Sequence, residues 1–307
     1  MAEPKFDRLI RFVDESGRIH FGELPKDHAW DKDLHGIEVA IYSGETPFDE
    51  NLKLTGQKAV VKKVLCPLAD VPFIYGVGLN YKRHAAESGH ALPSYPRTFV
   101  KYPGKQLRRK LLDFPQGAML TMHKDALTGP YEDVHIHPAA KDVDYEGELV
   151  FIVGKTVKNV PSKINALDNV FAYTVGNDLS SRFWQDEKRG GNQSHYAKSF
   201  DQFAPLGPVL VSSRMIPDPS QLVLRTFVNG EKRQESGVDD LIFNVSDIIS
   251  YLSQGRTLRR GAVVMTGTPS GVGSFLPGGP RFLEDGDVVE IEIEGIGKIK
   301  NKFVVDS

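Results

Sequence analysis

The run DYEGELVFIV, from Asp144 to Val153, constrains this chain more than any other stretch. With the period of a strand, Asp144, Glu146 and Glu148 fall on one face, and Tyr145, Gly147 and Leu149 on the other. Carboxylates in a row repel, so the face is either open to water or meets a cation, and hard divalent ions such as Mg²⁺ take oxygen ligands of this kind. From Leu149 to Val153 the run is continuously apolar and it ends at Gly154, which sends the strand into a core. Its acidic end is therefore expected to face something specific. If a cation is what relieves the repulsion, removing one acid should relieve strain in the metal-free protein.

The rest of the chain is organised around that strand. Arg8 to Leu24 alternates about Glu15-Ser16-Gly17 as a hairpin would, and Val39 to Tyr42 and Lys58 to Leu65 extend a small N-terminal β appendage over residues 1–70. A catalytic domain is expected over residues 71–307. It opens with the short strand Phe73 to Gly78 and a helical segment, Tyr81 to Ser88. Further on, the pattern predicts a helix over Lys163 to Asp168 capped by Ser162, and a strand from Val170 that delivers Asn177 and Asp178 at its end. A hairpin turns at Asn229-Gly230, a helix capped by Ser246 ends at Gly255, and a buried strand runs into TGTPSGVG. Strands outnumber helices, with neither an internal repeat nor a βαβ alternation, so the expected class is mainly β with short helices, α+β.

A formal net charge of -2 gives no field that would draw nucleic acid or an acidic membrane, which leaves a small molecule or a second copy of the chain as partner. Cys66, the single cysteine, is read as a core residue in a reducing compartment. The charged N-terminus has no signal-peptide core and no apolar run reaches membrane-spanning length. The expectation is a cytoplasmic protein, with mitochondrial import left open.

Several residues suggest chemistry. Asp178 ends a strand expected beside the acidic one, so Glu146, Glu148 and Asp178 can converge on an oxygen site; the alternative is that Asp178 caps a turn. His84 and Glu87 stand at i and i+3 and share a helix face, either as an oriented general base or as a surface pair. Lys198, in AKSFD, could polarise a carbonyl or simply be solvated. TGTPSGVG offers backbone N–H groups and the Thr268 hydroxyl to an anion, but lacks a Walker lysine. His135 and His137 share a strand face without a third ligand nearby, and Ser194-His195 has no nucleophile elbow.

Taken in order, YGVGLNYKRHAAESG, DYEGELVFIVGK, VGNDLSSRFWQ, AKSFDQFAPLGPVLV and MTGTPSGVG resemble the fumarylacetoacetate hydrolase superfamily from about Phe73 to Val305. The likeness is to its two-domain branch of acylpyruvate hydrolases, oxaloacetate decarboxylases and oxaloacetate tautomerases. It implies a mixed β-sandwich roll, a homodimer, and Mg²⁺ or Mn²⁺ held by Glu146, Glu148 and Asp178. It further implies that His84 and Glu87 form a water-activating dyad, and that Lys198, Gln185 and Thr268 line the site of a small 2-oxo acid. The leading expectation is hydrolysis of a carbon–carbon bond in acylpyruvate- or fumarylpyruvate-type diketo acids through a metal-stabilised enolate. Oxaloacetate tautomerase or decarboxylase is the alternative, and a catalytically silent metal- or partner-binding member is the third reading.

Two departures from the family pattern stand out. Phe183 replaces the acid that usually follows the arginine; the expected consequence is either an unseated Arg182 or an altered choice of substrate, without loss of a metal ligand. Gly104 to Lys124 interrupts the likeness: without it FVKYP joins DALTGP. That segment reads either as a lid or, preferred, as a retained intron, since Gly104-Lys105 and Lys124-Asp125 can be encoded with splice-junction sequences. On the second reading the segment is dispensable.

Overall fold

The computed structural model describes residues 3–103, 126–161 and 166–306. Its main sheet runs, in spatial order, through Lys53–Val60, Glu38–Ser43, Ile19–Glu23, Arg8–Val13, Ala204–Ser212, Val170–Asn177, Gly147–Val153, Val263–Met265, Ile74–Gly78 and Arg97–Lys101. Neighbours along this path are antiparallel except Val263–Met265 and Ile74–Gly78, which run parallel. The N-terminal strands join it edge to edge where Arg8–Val13 pairs with Ala204–Ser212. A second sheet orders Glu231–Gly237, Val223–Val228, Val288–Ile293, Gly297–Val305 and Val134–Ile136. The architecture is the expected mainly β one with short helices.

The strand Gly147–Val153 is buried along its whole length. Leu149, Phe151 and Val153 pack in one cluster with Leu224, Ile291, Ile293 and Ile299 of the second sheet, while Val150 and Ile152 enter a second cluster with Leu9, Ile74, Leu210 and Met265. A strand covered on both faces has no solvent side, which accounts for the unbroken apolar run. Cys66 is buried, as expected.

Most local expectations correspond to observed elements, with informative exceptions. Asn229 and Gly230 have φ of 51° and 80°, as a two-residue hairpin turn requires. The helix Val245–Ser253 is capped by Asn244, not Ser246: Asn244 accepts from the Asp247 amide, and the Asp247 carboxylate accepts from the Asn244 amide. The acidic run is not one strand, because Val143–Asp144 pairs with Ser180–Ser181 before Gly147–Val153 joins the main sheet. A 3₁₀ turn covers Ala166–Asn169, whereas Ser162 and Lys163 lie outside the described residues, as does Gly104 to Lys124. No helix among the described residues is long and apolar enough to cross a membrane.

Candidate metal centre and proton-transfer dyad

The register of the two central strands assembles the acids. Gly147 pairs with Asn177, and the Asp178 amide donates to the Glu146 carbonyl at 2.9 Å, so Glu146, Glu148 and Asp178 meet with carboxylate oxygens within 4.8 Å of one another. All three are buried. A Cβ on Gly147 would lie 2.3 Å from Thr226 Oγ1, so only glycine fits between the two glutamates beneath the second sheet.

Three cations face this cluster. Lys198 Nζ donates to Glu146 Oε2 at 2.8 Å, Asp178 Oδ2 at 2.6 Å and Ser180 Oγ at 2.7 Å. Lys101, with no exposed surface, sits 2.5 Å from Asp178 Oδ1 and donates to the carbonyls of Leu179 and Phe203. Arg182 places Nη1 2.7 Å from Glu146 Oε1 and Nε 2.9 Å from Asp144 Oδ2. Asp144 therefore does not belong to the oxygen site. Its carboxylate is taken up by Arg182 and by the amides of Gly273 and Ser274.

Among the described residues Glu148 is the carboxylate of the three without an ion-pair partner of its own. Its Oε2 accepts from the Gly267 amide at 2.7 Å, but Oε1 is buried with no donor among the described residues. Burial, then Asp178 and Glu146, push its pKa well above the usual carboxylate range. Glu146 goes the opposite way: burial alone would raise it, but Lys198 and Arg182 hold it well below that range. Burial would likewise lower Lys198, yet Asp178 and Glu146 raise it, keeping the ammonium charged. For Lys101, burial outweighs Asp178 and the net direction is downward. A buried oxygen cluster with one uncompensated carboxylate fits a hard divalent cation. The expected relief of strain on removing any one acid is thus corrected. Glu146 and Asp178 are already compensated by protein cations, and the repulsion is concentrated on Glu148.

The second half of the site rides on the short helix Lys82–Glu87. His84 Nδ1 lies 3.0 Å from Glu87 Oε2, and the other oxygen of Glu87 accepts from the Gly271 amide at 2.9 Å. Only 7% of His84 is exposed, so the surface-pair alternative does not describe it. Its ring stands 6.0 Å from that of Phe275, and it is close enough to Glu146 to act on it electrostatically, which places the imidazole near the acidic cluster.

The glycine-rich turn connects the two halves. Gly267 donates to Glu148, Gly271 to Glu87 and Gly273 to Asp144, while Tyr145 Oη donates to the Gly271 carbonyl. The turn is an anion cradle, as its composition suggests, but these N–H groups are filled by the protein's own carboxylates. Gly271 has φ of 99°, and a Cβ there would lie 2.0 Å from the Arg233 carbonyl oxygen. Thr268 accepts from Gln234 Nε2 at 2.8 Å, and Gln185 Oε1 accepts from Arg182 at 2.9 Å.

The other candidates fall elsewhere. His135 is exposed and pairs with Asp306, His137 Nδ1 accepts from the Ala139 amide, and neither belongs to a group of three metal-ligating side chains among the described residues. Phe183 does not unseat Arg182, because Asp144 and Glu146 hold the guanidinium; the Phe183 ring instead lies under Lys141 Nζ, at 4.9 Å, and Arg189. Lys101 and Gln234 are site residues that the sequence reading missed. The signal for Lys101 was a lysine in the buried phase of RTFVK, two residues from Phe99.

Comparison with known proteins agrees with this architecture. The family pattern of the fumarylacetoacetate (FAA) hydrolase C-terminal domain matches residues 73–304. A mitochondrial oxaloacetate tautomerase of Xenopus laevis is 34% identical over 87% of this chain and 76% of its own length. An oxaloacetate tautomerase of Bacillus subtilis is 38% identical over 74% of this chain and 68% of its own. Among solved structures, a 5-carboxymethyl-2-hydroxymuconate delta-isomerase of Mycobacterium smegmatis aligns with a TM-score of 0.74 at 31% identity, covering 97% of this chain and all of its own. A fumarylpyruvate hydrolase of Pseudomonas aeruginosa, solved with Mn²⁺ and pyruvate, aligns with a TM-score of 0.63 at 29% identity over 77% of this chain and 91% of its own.

Proposed function

The chain belongs to the fumarylacetoacetate hydrolase superfamily, and we propose that it is a divalent-metal-dependent oxaloacetate tautomerase, interconverting the enol and keto forms of a small 2-oxo dicarboxylic acid. The observation that carries this reading is the buried His84–Glu87 dyad beside the acidic cluster. Tautomerisation needs one proton moved between an oxygen and a carbon, with no water consumed. An imidazole edged by Phe275 and nearly closed to solvent suits that task. The names of the frog and Bacillus relatives support the same choice.

Glu146, Glu148 and Asp178 would hold Mg²⁺ or Mn²⁺, and the bound ion would supply Lewis-acid stabilisation of an enolate. The protein's own groups do the remainder. With Nδ1–H donated to Glu87, His84 presents the lone pair of Nε2 and can take a proton from the enol oxygen or C3 and return it to the other. Lys198 keeps a positive charge beside the developing enolate. Thr268 donates to a substrate carboxylate, and Gln185 steadies Arg182.

Diketo-acid hydrolysis stays as the second reading, because cleavage to a pyruvate enolate draws on the same groups and the Pseudomonas neighbour is a fumarylpyruvate hydrolase. Kinetics on enol-oxaloacetate, keto-oxaloacetate, acetylpyruvate and fumarylpyruvate, each with Mg²⁺ or Mn²⁺, separate the two. The proposal expects the highest kcat/KM for ketonisation of enol-oxaloacetate; a higher value for a diketo acid would transfer the chain to the hydrolases. Inactivity on all four would favour the silent-binder reading. A homodimer also belongs to the proposal and is checked by sedimentation. The frog relative's name places that protein in mitochondria, which keeps import beside the cytoplasmic expectation.

A further inference from the structure

We propose that Gln234, outside every motif above, is the positioning residue that makes Thr268 a hydrogen-bond donor and so selects a carboxylate oxygen in the bound substrate. The inference rests on the 2-oxo acid reading of the site.

Gln234 is 1% exposed, a glutamine without access to water. It stands in Glu231–Gly237 beside a bulge: Thr226 pairs with Gln234 and Phe227 with Lys232, so Arg233 is the extra residue. Bulges re-aim side chains next to functional sites. Here Gln234 reaches out of the second sheet to the acidic strand and the glycine-rich turn together. Its Oε1 accepts from the Gly147 amide at 3.1 Å, and its Nε2 donates to Thr268 Oγ1 at 2.8 Å and to the Pro269 carbonyl at 2.9 Å.

The orientation of that amide has one solution. The Gly147 N–H can only donate and the Pro269 carbonyl can only accept, so oxygen must face the first and nitrogen the second. The Thr268 hydroxyl then receives a hydrogen bond, and its own proton has to point away from Gln234. Among the described residues nothing else accepts it. Because Gly267, one residue earlier, grips Glu148, the proton is offered beside the acidic cluster, where a carboxylate oxygen of a 2-oxo acid can accept it.

The test measures oxalate, a planar dianion shaped like a pyruvate enolate, binding to the full-length Mg²⁺-loaded protein by calorimetry, together with steady-state kinetics on enol-oxaloacetate. Thr268→Val should weaken oxalate by about ten- to a hundredfold, the cost of losing a hydrogen bond to a charged group. Gln234→Met should do the same, raising KM while leaving kcat nearly unchanged, because the bond acts on substrate and transition state alike. The double variant should bind no worse than Thr268→Val alone, since both remove one interaction. Additive losses in the double variant, or a fall in kcat at constant KM, would reduce Gln234 to a structural role and overturn the inference. Should Gln234→Met not fold, Gln234→Glu carries the test. It keeps the shape and the bond from Gly147 but turns the donor into an acceptor that captures the Thr268 proton. Oxalate affinity must then fall at least as far as in Thr268→Val, and retained affinity overturns the inference. A wild-type protein that ignores oxalate when loaded with Mg²⁺ would instead remove the 2-oxo acid reading, and the inference with it.

Discussion

The acidic cluster and the dyad lie side by side and are built in different ways. Glu146, Glu148 and Asp178 hang from central strands buried on both faces, and Lys101, Lys198 and Arg182 are locked against them. His84 and Glu87 sit on a six-residue helix whose N-cap, Tyr81, makes no side-chain capping bond. The Gly271 amide ties Glu87 to the neighbouring turn. A charged site needs its geometry fixed before the ligand arrives, because misplaced buried charges are costly. A proton-moving group has only to be oriented, and the bond to Glu87 does that. Hence the cluster couples function to stability, whereas the dyad can be disabled with the fold intact.

The strongest way to break this comparison is at Asp178 or Glu146. Asp178→Ala takes the carboxylate from Lys101 and one of two from Lys198, and Glu146→Ala takes one of two from Arg182 and one of two from Lys198. Each should abolish Mg²⁺ binding and turnover and destabilise the metal-free protein by about 3–5 kcal/mol, read from urea denaturation. Wild-type stability in either would mean that the cations do not compensate these acids. His84→Ala comes next. It should lower turnover of enol-oxaloacetate by about two to four orders of magnitude while Mg²⁺ affinity and Tm stay near wild type. A matching loss of metal affinity would merge the two regions into one cooperative unit.

A smaller effect concerns pH. In the metal-free fold Glu148 keeps its proton above the ordinary carboxylate range, and a cation binds only the ionised form. Mg²⁺ affinity should therefore rise with pH until the medium passes that raised pKa, with up to one proton released per ion bound below it. Calorimetry in buffers of different ionisation enthalpy measures the release, and an affinity indifferent to pH from the ordinary carboxylate range upward would contradict the assignment. The smallest effect is expected from deleting Gly104 to Lys124, on the proposal that the segment is dispensable: activity and stability should stay at or above wild type. A deletion variant that folds yet no longer binds oxalate would establish the segment as a lid.

What was legible in the sequence follows the same division. Glu146, Glu148, Asp178, His84 and Glu87 could be named because short-range period and order place them, at i and i+2 on a strand or i and i+3 on a helix. Their compensating partners could not. Lys101 meets Asp178 across 77 residues and Arg182 meets Asp144 across 38, and one-dimensional spacing carries no information about such contacts. Asp144 looked like a third acid of the cluster because its phase on an ideal strand is right. The strand is interrupted between Asp144 and Gly147, and the Gly273 and Ser274 amides claim the Asp144 side chain. Gln234 reads as an ordinary polar residue in EKRQESG, and only the bulge at Arg233 shows where it is aimed.

The account turns on Glu148 as the carboxylate held in reserve for a cation. Thermal unfolding of Glu148→Gln, with and without Mg²⁺, tests this most directly. Without metal the variant should melt at or above the wild-type temperature, because a buried unmatched acid has been replaced by a neutral amide, and adding Mg²⁺ should no longer raise its Tm as it raises that of wild type. A Glu148→Gln protein less stable than wild type without metal, or one that Mg²⁺ still stabilises to the full extent, would contradict the account.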